Sequence, residues 1–312
     1  MTKKFLKCID EQAAHSAFTD LCLYKNQLFC CFRAATDHIS PDGVIKILTL
    51  NTQGQVTSST IVRMAKCDLR DPKLSVDNNG KLILLAYARF YHDGIHQGSQ
   101  AYVWFSNDGK SFSAPKALAK PNHWLWRLSW FNHQAYGFAY HRRSQTLNLY
   151  AGNPLRTFEE ITPEAMSLER HGLGYPNESA IAFSAEGCAY AIVRRDADTA
   201  SAQLGKSHYP YKKWQWRDLR AYIGSPQMLI WDNTHAIIAG RIWQQQGPKT
   251  ALIGINLITG KLTLKEILPS RGDCSYPGML IHQEQLYVSY YSMHQYGKCA
   301  IYLYKAPVTH YR

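Results

Sequence analysis

Asp71-Pro-Lys-Leu-Ser-Val-Asp-Asn-Asn-Gly-Lys-Leu-Ile-Leu-Leu-Ala-Tyr-Ala-Arg89 decides the fold. It reads as a strand, a tight turn at Asp77–Gly80, and a second strand of unbroken apolar character ending on a cation. Asn and Gly supply the positive φ of a hairpin turn. An apolar run this short, rich in β-preferring residues, suits a strand packed on both faces. The same unit recurs. Runs that end on a basic or aromatic residue begin at Leu28, Ala135, Cys188, Ala236 and Leu286, spaced by roughly 50 residues, the length of a propeller blade. Before each lies a turn: Tyr24–Gln27, Phe131–Gln134, Ser184–Gly187, Asp232–His235 and His282–Gln285.

Outward from these hairpins lie further strands, among them Val44–Leu50, Ala101–Phe105, Thr250–Ile255 and Ala300–Tyr304. No stretch carries a sustained helical period, and no linker-like composition divides the chain. The expectation is an all-β chain: a six-bladed β-propeller of four-stranded antiparallel blades, one domain spanning 1–312. An α/β arrangement would need helices between the strands, and none is legible.

Composition agrees with a large packed core, with 46% hydrophobic and 19% charged residues. No run approaches the roughly 20 apolar residues of a membrane span. Lys3, Lys4 and Lys7 have no apolar run behind them, and the eight cysteines form no CxxC pair. These features point to a reduced, cytoplasmic protein without a metal or other cofactor. The net charge of +12 favours acidic partners. Its cations are dispersed rather than clustered, so no nucleic-acid partner is expected. His92 and His96 have the spacing of helical metal ligands, but no helix is expected there.

A hairpin returns the chain to the edge where it began. The residue opening each first strand therefore lies near the residue closing the second, on one rim. The openers include Asp71, Arg127, Glu178 and Tyr276, and the closers Arg33, Arg89, His141, Arg194, Arg241 and Tyr291. Two readings compete. These charges knit blade to blade, or they form an anion site in which arginine forks hold a carboxylate or sulfate. As a set they favour the site, because an axis that is only structural is more simply filled with apolar side chains. Trp124, Trp126 and Trp130 stand near an opener, as sugar-stacking faces or as blade core.

These residues resemble the sialidase superfamily, six-bladed propellers with Asp-box (BNR) repeats, and within it a divergent bacterial sialidase-like group. Ser106-Asn-Asp-Gly-Lys-Ser-Phe112 is similar to a shortened Asp-box, and Asn51–Gln55 to a degenerate one. In chain order, Arg70-Asp71-Pro72 resembles the family's Asp-Pro turn and Glu178 its glutamate. Arg194 and Arg241 match its second and third arginines, and Tyr276 its tyrosine. The first blade departs from the pattern. His15-Ser-Ala stands where an Arg-Ile-Pro motif opens that blade in the family.

The resemblance implies a retaining glycoside hydrolase acting on an acidic carbohydrate, with Tyr276 as nucleophile and Glu178 as its base. Arg33, Arg194 and Arg241 would hold the substrate anion, with Arg70, Asp71, Trp126 and Arg127 around it. Asp37 or His38, and after them Asp71, are the candidates for the proton donor. Two other classes stay open: a propeller that binds acidic glycans or another small anion without catalysis, and a lyase acting on uronate-containing polysaccharides.

Overall fold

The computed structural model describes residues 4–312. Its strands form six small antiparallel sheets, the blades of a propeller. Blade one contains His15–Tyr24, Gln27–Ala35, Val44–Leu50 and Val56–Val62. Blade two runs through Cys67–Val76, Leu82–His92, Ile95–Ser106 and Lys116–Leu118. Blades four and five repeat the meander from Pro176–Phe183 and from Gly224–Ile230. Blade three departs from four regular strands. Its inner strand is split into Trp124–Leu125 and Ser129–Phe131, both paired with Gln134–His141, and Arg127 lies in the break.

Blade six closes the ring. Its strands Cys274–His282, Gln285–Ser292 and Ala300–Pro307 are completed by Phe5–Asp10 from the other end of the chain. This seam had no signal in the hairpin repeat, because Phe5–Asp10 has no hairpin partner adjacent in sequence.

The apolar runs are second strands, and burial explains their unbroken character. Leu82–Ala88 is buried throughout, since both of its faces meet neighbouring blades. Fourth strands lie at the outside and alternate or turn polar, as Val56–Val62 does. Buried apolar residues gather into six clusters, one at each blade-to-blade seam. Each blade thus covers the sheet faces of its neighbours, and ring closure leaves only short outer edges.

One local device recurs on the axis. The inner strand shifts register beside its outward neighbour in blades one, two, four, five and six. In four of these bulges a non-glycine residue takes positive φ: Phe18 (61°), Asp71 (46°), Ser225 (44°) and Tyr276 (48°). Such backbone is uncommon for bulky residues, and bulges re-aim side chains. Asp71, Ser225 and Tyr276 each precede a proline, which needs no ladder partner for its nitrogen. Of the openers foreseen from sequence, Asp71, Glu178 and Tyr276 are therefore bulge residues, and Arg127 lies in the blade-three break.

The turns between third and fourth strands carry a second device. Asp108 accepts the backbone N–H groups of Lys110 and Ser111, each at 2.8 Å, and Gly109 takes φ 73°. Asn51, Asn153 and Asn256 cap the corresponding turns of blades one, three and five. This accounts for Ser106–Phe112 and Asn51–Gln55 as structural turns.

Candidate active site at the propeller axis

Bulges from blades one, two, four and six aim Phe18, Asp71, Glu178 and Tyr276 at a cavity of about 240 Å³ on the axis. Arg70, Arg142, Arg194, Trp124, Trp126 and His38 complete most of its wall. At its centre the Tyr276 hydroxyl donates to Glu178 Oε1 at 2.5 Å. Arg194 Nη1 donates to Glu178 Oε2 at 2.7 Å and lies 3.4 Å from the Tyr276 oxygen. Arg194 Nε is held at 2.9 Å by Asp196, itself fixed by Asn177 at 2.7 Å. The Ser225 backbone N–H gives Glu178 Oε2 a further bond at 2.8 Å.

These contacts set the ionisation states. Burial pushes the Glu178 carboxyl up, but Arg194 and the hydrogen bonds from Tyr276 and Arg194 outweigh it, and the net shift is down. Burial and the Glu178 charge drive Tyr276 well above the ordinary phenol range, against the pull of Arg194 and Arg241. The pair is thus a neutral phenol donating to a carboxylate, arranged for the proton to pass from Tyr276 to Glu178 when the phenol oxygen reacts.

Asp71 has the opposite balance. Burial raises its carboxyl from 3.8 to about 6 despite the nearby Lys73 and Arg70, with Glu178 adding to the rise. Its Oδ1 is buried without a hydrogen-bond partner among the described residues, as are Arg70 Nε and Trp126 Nε1. Three residues of one cavity wall thus carry orphaned polar atoms. Buried polar groups are otherwise almost always paired, and such orphans mark a place for a polar ligand.

The cavity brings together seven of the residues singled out from sequence: His38, Arg70, Asp71, Trp126, Glu178, Arg194 and Tyr276. Four others lie elsewhere. Arg33 is fully buried, with Nε on Asp68 Oδ1 at 2.6 Å, Nη1 on Asp37 O at 2.8 Å and Nη2 on Ser40 O at 2.9 Å. It closes a second strand, one step out from the axis, so its fork reaches the next blade and the Asp37–Ser40 loop instead of the cavity. The Asp37 carboxylate folds back onto its own loop, accepting His38 N–H at 2.6 Å, and stays off the cavity wall. Arg127 pairs with buried Asp20 at 2.7 Å deep on the axis and borders a groove at the opposite end. Arg241 donates Nε to Cys274 O at 2.9 Å and Nη2 to Asp273 and the Tyr291 hydroxyl, both at 3.2 Å. Its guanidinium carbon sits 5.2 Å from the centre of the Tyr276 ring, flanking that ring without reaching the cavity.

The arginines that do line the cavity are Arg70, Arg142 and Arg194. Arg142 escaped the sequence reading, although it directly follows His141, a strand closer. Trp124 also lines the wall, stacked against Tyr87 at 4.0 Å, whereas Trp130 bonds Ser75 near the opposite groove.

His15 occupies the first-blade position where the resemblance leads one to look for an arginine. It bonds Asp273 at 3.2 Å, and His38 bonds the same carboxylate oxygen at 2.8 Å. Tyr291 and Arg241 take the other oxygen. Asp273, His15 and Cys299 bring their ligand-type atoms within 4.8 Å of one another, but the four protein donors already satisfy the carboxylate. His92 pairs with Asp93 at an exposed hairpin end, remote in role from His96, which bonds Ser99 at 2.8 Å. All eight cysteines are free thiols, and no helix among the described residues is long and apolar enough to cross a membrane.

No protein-family model matches the chain, and no curated protein does. Solved structures do match, and they define the fold as the sialidase propeller. A protein of unknown function from Dyadobacter fermentans superposes with a TM-score of 0.78 at 15% identity, covering 96% of this chain and 98% of that one. The NanB sialidase of Streptococcus pneumoniae gives 0.72 at 11%, covering 96% and 70%. A Trypanosoma rangeli sialidase gives 0.72 at 10%, covering 94% of this chain and 55% of that longer one.

Proposed function

We propose that the protein is a retaining glycosidase of the sialidase type, acting on a sugar that bears a carboxylate. The observation that carries this reading is the 2.5 Å hydrogen bond from Tyr276 to Glu178, with Arg194 bracing both. A carboxylate on the anomeric carbon repels an anionic nucleophile, so a neutral phenol with an adjacent carboxylate base suits such a sugar. The Tyr276 oxygen attacks the anomeric carbon as its proton passes to Glu178, and the bond to the leaving oxygen breaks. Asp71 protonates that oxygen. In the second half, water attacks the anomeric carbon and gives its proton to Asp71, and Tyr276 departs, recovering its proton from Glu178. Tyrosine-nucleophile enzymes form an exception to the two-carboxylate scheme of most glycosidases.

Asp71 takes the donor role in place of Asp37, because it lines the cavity and burial holds part of it protonated near pH 6. Arg70, Arg142 and Arg194 supply the anion contacts expected of Arg33, Arg194 and Arg241. The test is a screen of fluorogenic glycosides covering sialic acid, related keto-acid sugars, uronic acids and neutral sugars, with Tyr276→Phe beside wild type. Release from an acidic glycoside by wild type alone supports the reading. Release by Tyr276→Phe at the wild-type rate removes Tyr276 as nucleophile.

A second reading, a glycan-binding propeller without turnover, draws on the engagement of Arg241 by Asp273 and on the burial of Arg33. It calls for thermal stabilisation by an acidic sugar together with no product in the screen.

A further inference from the structure

A second cavity, of about 610 Å³, opens beside the axial one and shares with it His38, Arg70, Trp124, Tyr140 and Arg142. The axial cavity, at about 240 Å³, falls below the roughly 300–1,000 Å³ common for small-molecule sites and suits one sugar ring. The neighbouring space is where the rest of a glycoside would run. Its lining adds Arg89, Arg143, His96 and His141, and contains no carboxylate at all. Arg89, Arg142 and Arg143 have no side-chain hydrogen bond or ion pair among the described residues. Charge is felt locally: burial and then Arg89 lower the His96 imidazole, and burial, then His123 and Arg143, lower that of His141. The wall common to the two cavities is aromatic, Trp124 stacking on Tyr87 at 4.0 Å and on Tyr140 at 5.7 Å. Arg70, whose Nε is buried and unpartnered, faces both.

We propose that this second cavity is a subsite for a negatively charged leaving group, so that the substrate is an acidic oligosaccharide with anions on both sides of the scissile bond. The inference rests on the hydrolase reading for what lies in the axial cavity. Unpaired guanidinium forks facing no carboxylate match a second carboxylate or sulfate, and aromatic faces match the sugar ring that carries it.

The experiment uses isothermal titration of Tyr276→Phe, which removes the attacking oxygen, with two probe pairs. One pair is α2,8-linked disialic acid against sialyllactose; the other is digalacturonic acid against galacturonyl-rhamnose. In each pair the terminal acid is shared, and the extension is acidic in one member and neutral in the other. In at least one pair the acidic extension is expected to bind at least about tenfold tighter, at low salt. Arg89→Ala/Arg143→Ala, made on the same background and checked for an unchanged Tm, should erase that preference and leave the affinity for the neutral extension in place. Equal affinity for both extensions, no binding of either pair, or a preference that survives the double substitution would overturn the subsite. Wild-type cleavage of simple aryl glycosides separates the two ideas. Cleavage without a charge preference sinks the subsite alone, and an arginine-dependent preference without cleavage sinks the hydrolase alone.

Discussion

The Tyr276 hydroxyl in blade six donates a hydrogen bond to Glu178 in blade four across the propeller axis, at an oxygen separation of 2.5 Å. The two residues are 98 positions apart in sequence, and each is delivered by a bulge in its own inner strand. Removing either partner should therefore disable one unit. Tyr276→Phe is expected to abolish turnover, and Glu178→Gln to lower kcat by about 10²–10⁴-fold. The double variant should be no slower than the worse single one, since groups acting as a unit are not additive. Single-turnover kinetics on an aryl glycoside would read this, and additive losses would separate the two roles.

On the proposed mechanism, Asp71 gives the reaction its pH limb. With its carboxyl raised to about 6, the protonated donor is lost as pH rises through that value. Values of kcat/KM for substrates with poor leaving groups should fall in the same window. Asp71→Asn should lower kcat/KM for those substrates by about 10²–10⁴-fold yet spare kcat/KM for activated aryl glycosides, whose leaving group needs little protonation. A pH profile unchanged by Asp71→Asn would rule Asp71 out as donor.

The same residue links pH to stability. Its folded value lies above the ordinary 3.8. The stabilisation from the protonated form is therefore complete below about pH 3.8 and lost as pH rises through about 6. Above that pH the buried charge is a liability, so Asp71→Asn should stabilise the fold there, by up to about 3 kcal/mol. Urea unfolding at pH 5 and pH 8 tests the sign: the gain of the variant must grow with pH.

Arg33 is structural in this protein. Arg33→Met leaves Asp68 buried with only the 3.1 Å contact from Arg70, and should cost roughly 3 kcal/mol. It also frees the Asp37 and Ser40 carbonyls, so the loop bearing His38 should become more open to proteolysis. Gly43 packs against the same pair, and a Cβ there would overlap Asp68 and Arg33, so Gly43→Ala should reproduce the effect. Equilibrium unfolding with limited proteolysis reads both, and a stability within about 0.5 kcal/mol of wild type would contradict the assignment.

The propeller was legible in sequence because second strands are buried on both faces. Runs such as Leu82–Ala88 must then be apolar without alternation, and all but one of their turns carry Asn or Gly, His282–Gln285 being the exception. Tyr276, Glu178, Asp71 and Arg194 could be placed on one rim because hairpins return to their starting edge. What escaped was direction. Arg33, Arg194 and Arg241 close second strands in the same way. Whether such a side chain turns to the axis or to a blade seam depends on partners far away in sequence: Asp68 for Arg33, Asp273 for Arg241. Asp37 lies off the cavity wall for a local reason, its carboxylate accepting the next backbone N–H. Arg142 was hidden because it has no partner to leave a signature.

The seam in blade six has a consequence for how the molecule comes into being. Among the propeller's strands, Phe5–Asp10 precedes all the others in sequence, yet its partner Ala300–Pro307 follows them all. The ring can therefore shut only after nearly all of the chain exists, by a pairing of very high sequence separation, the kind that folds slowly. Tyr276 belongs to the blade that waits for this event, whereas Glu178 and Asp71 belong to blades built entirely from neighbouring sequence. On the proposed roles, a growing propeller thus carries base and donor before it carries the nucleophile, and the axial site is complete only when Phe5–Asp10 has met Ala300–Pro307.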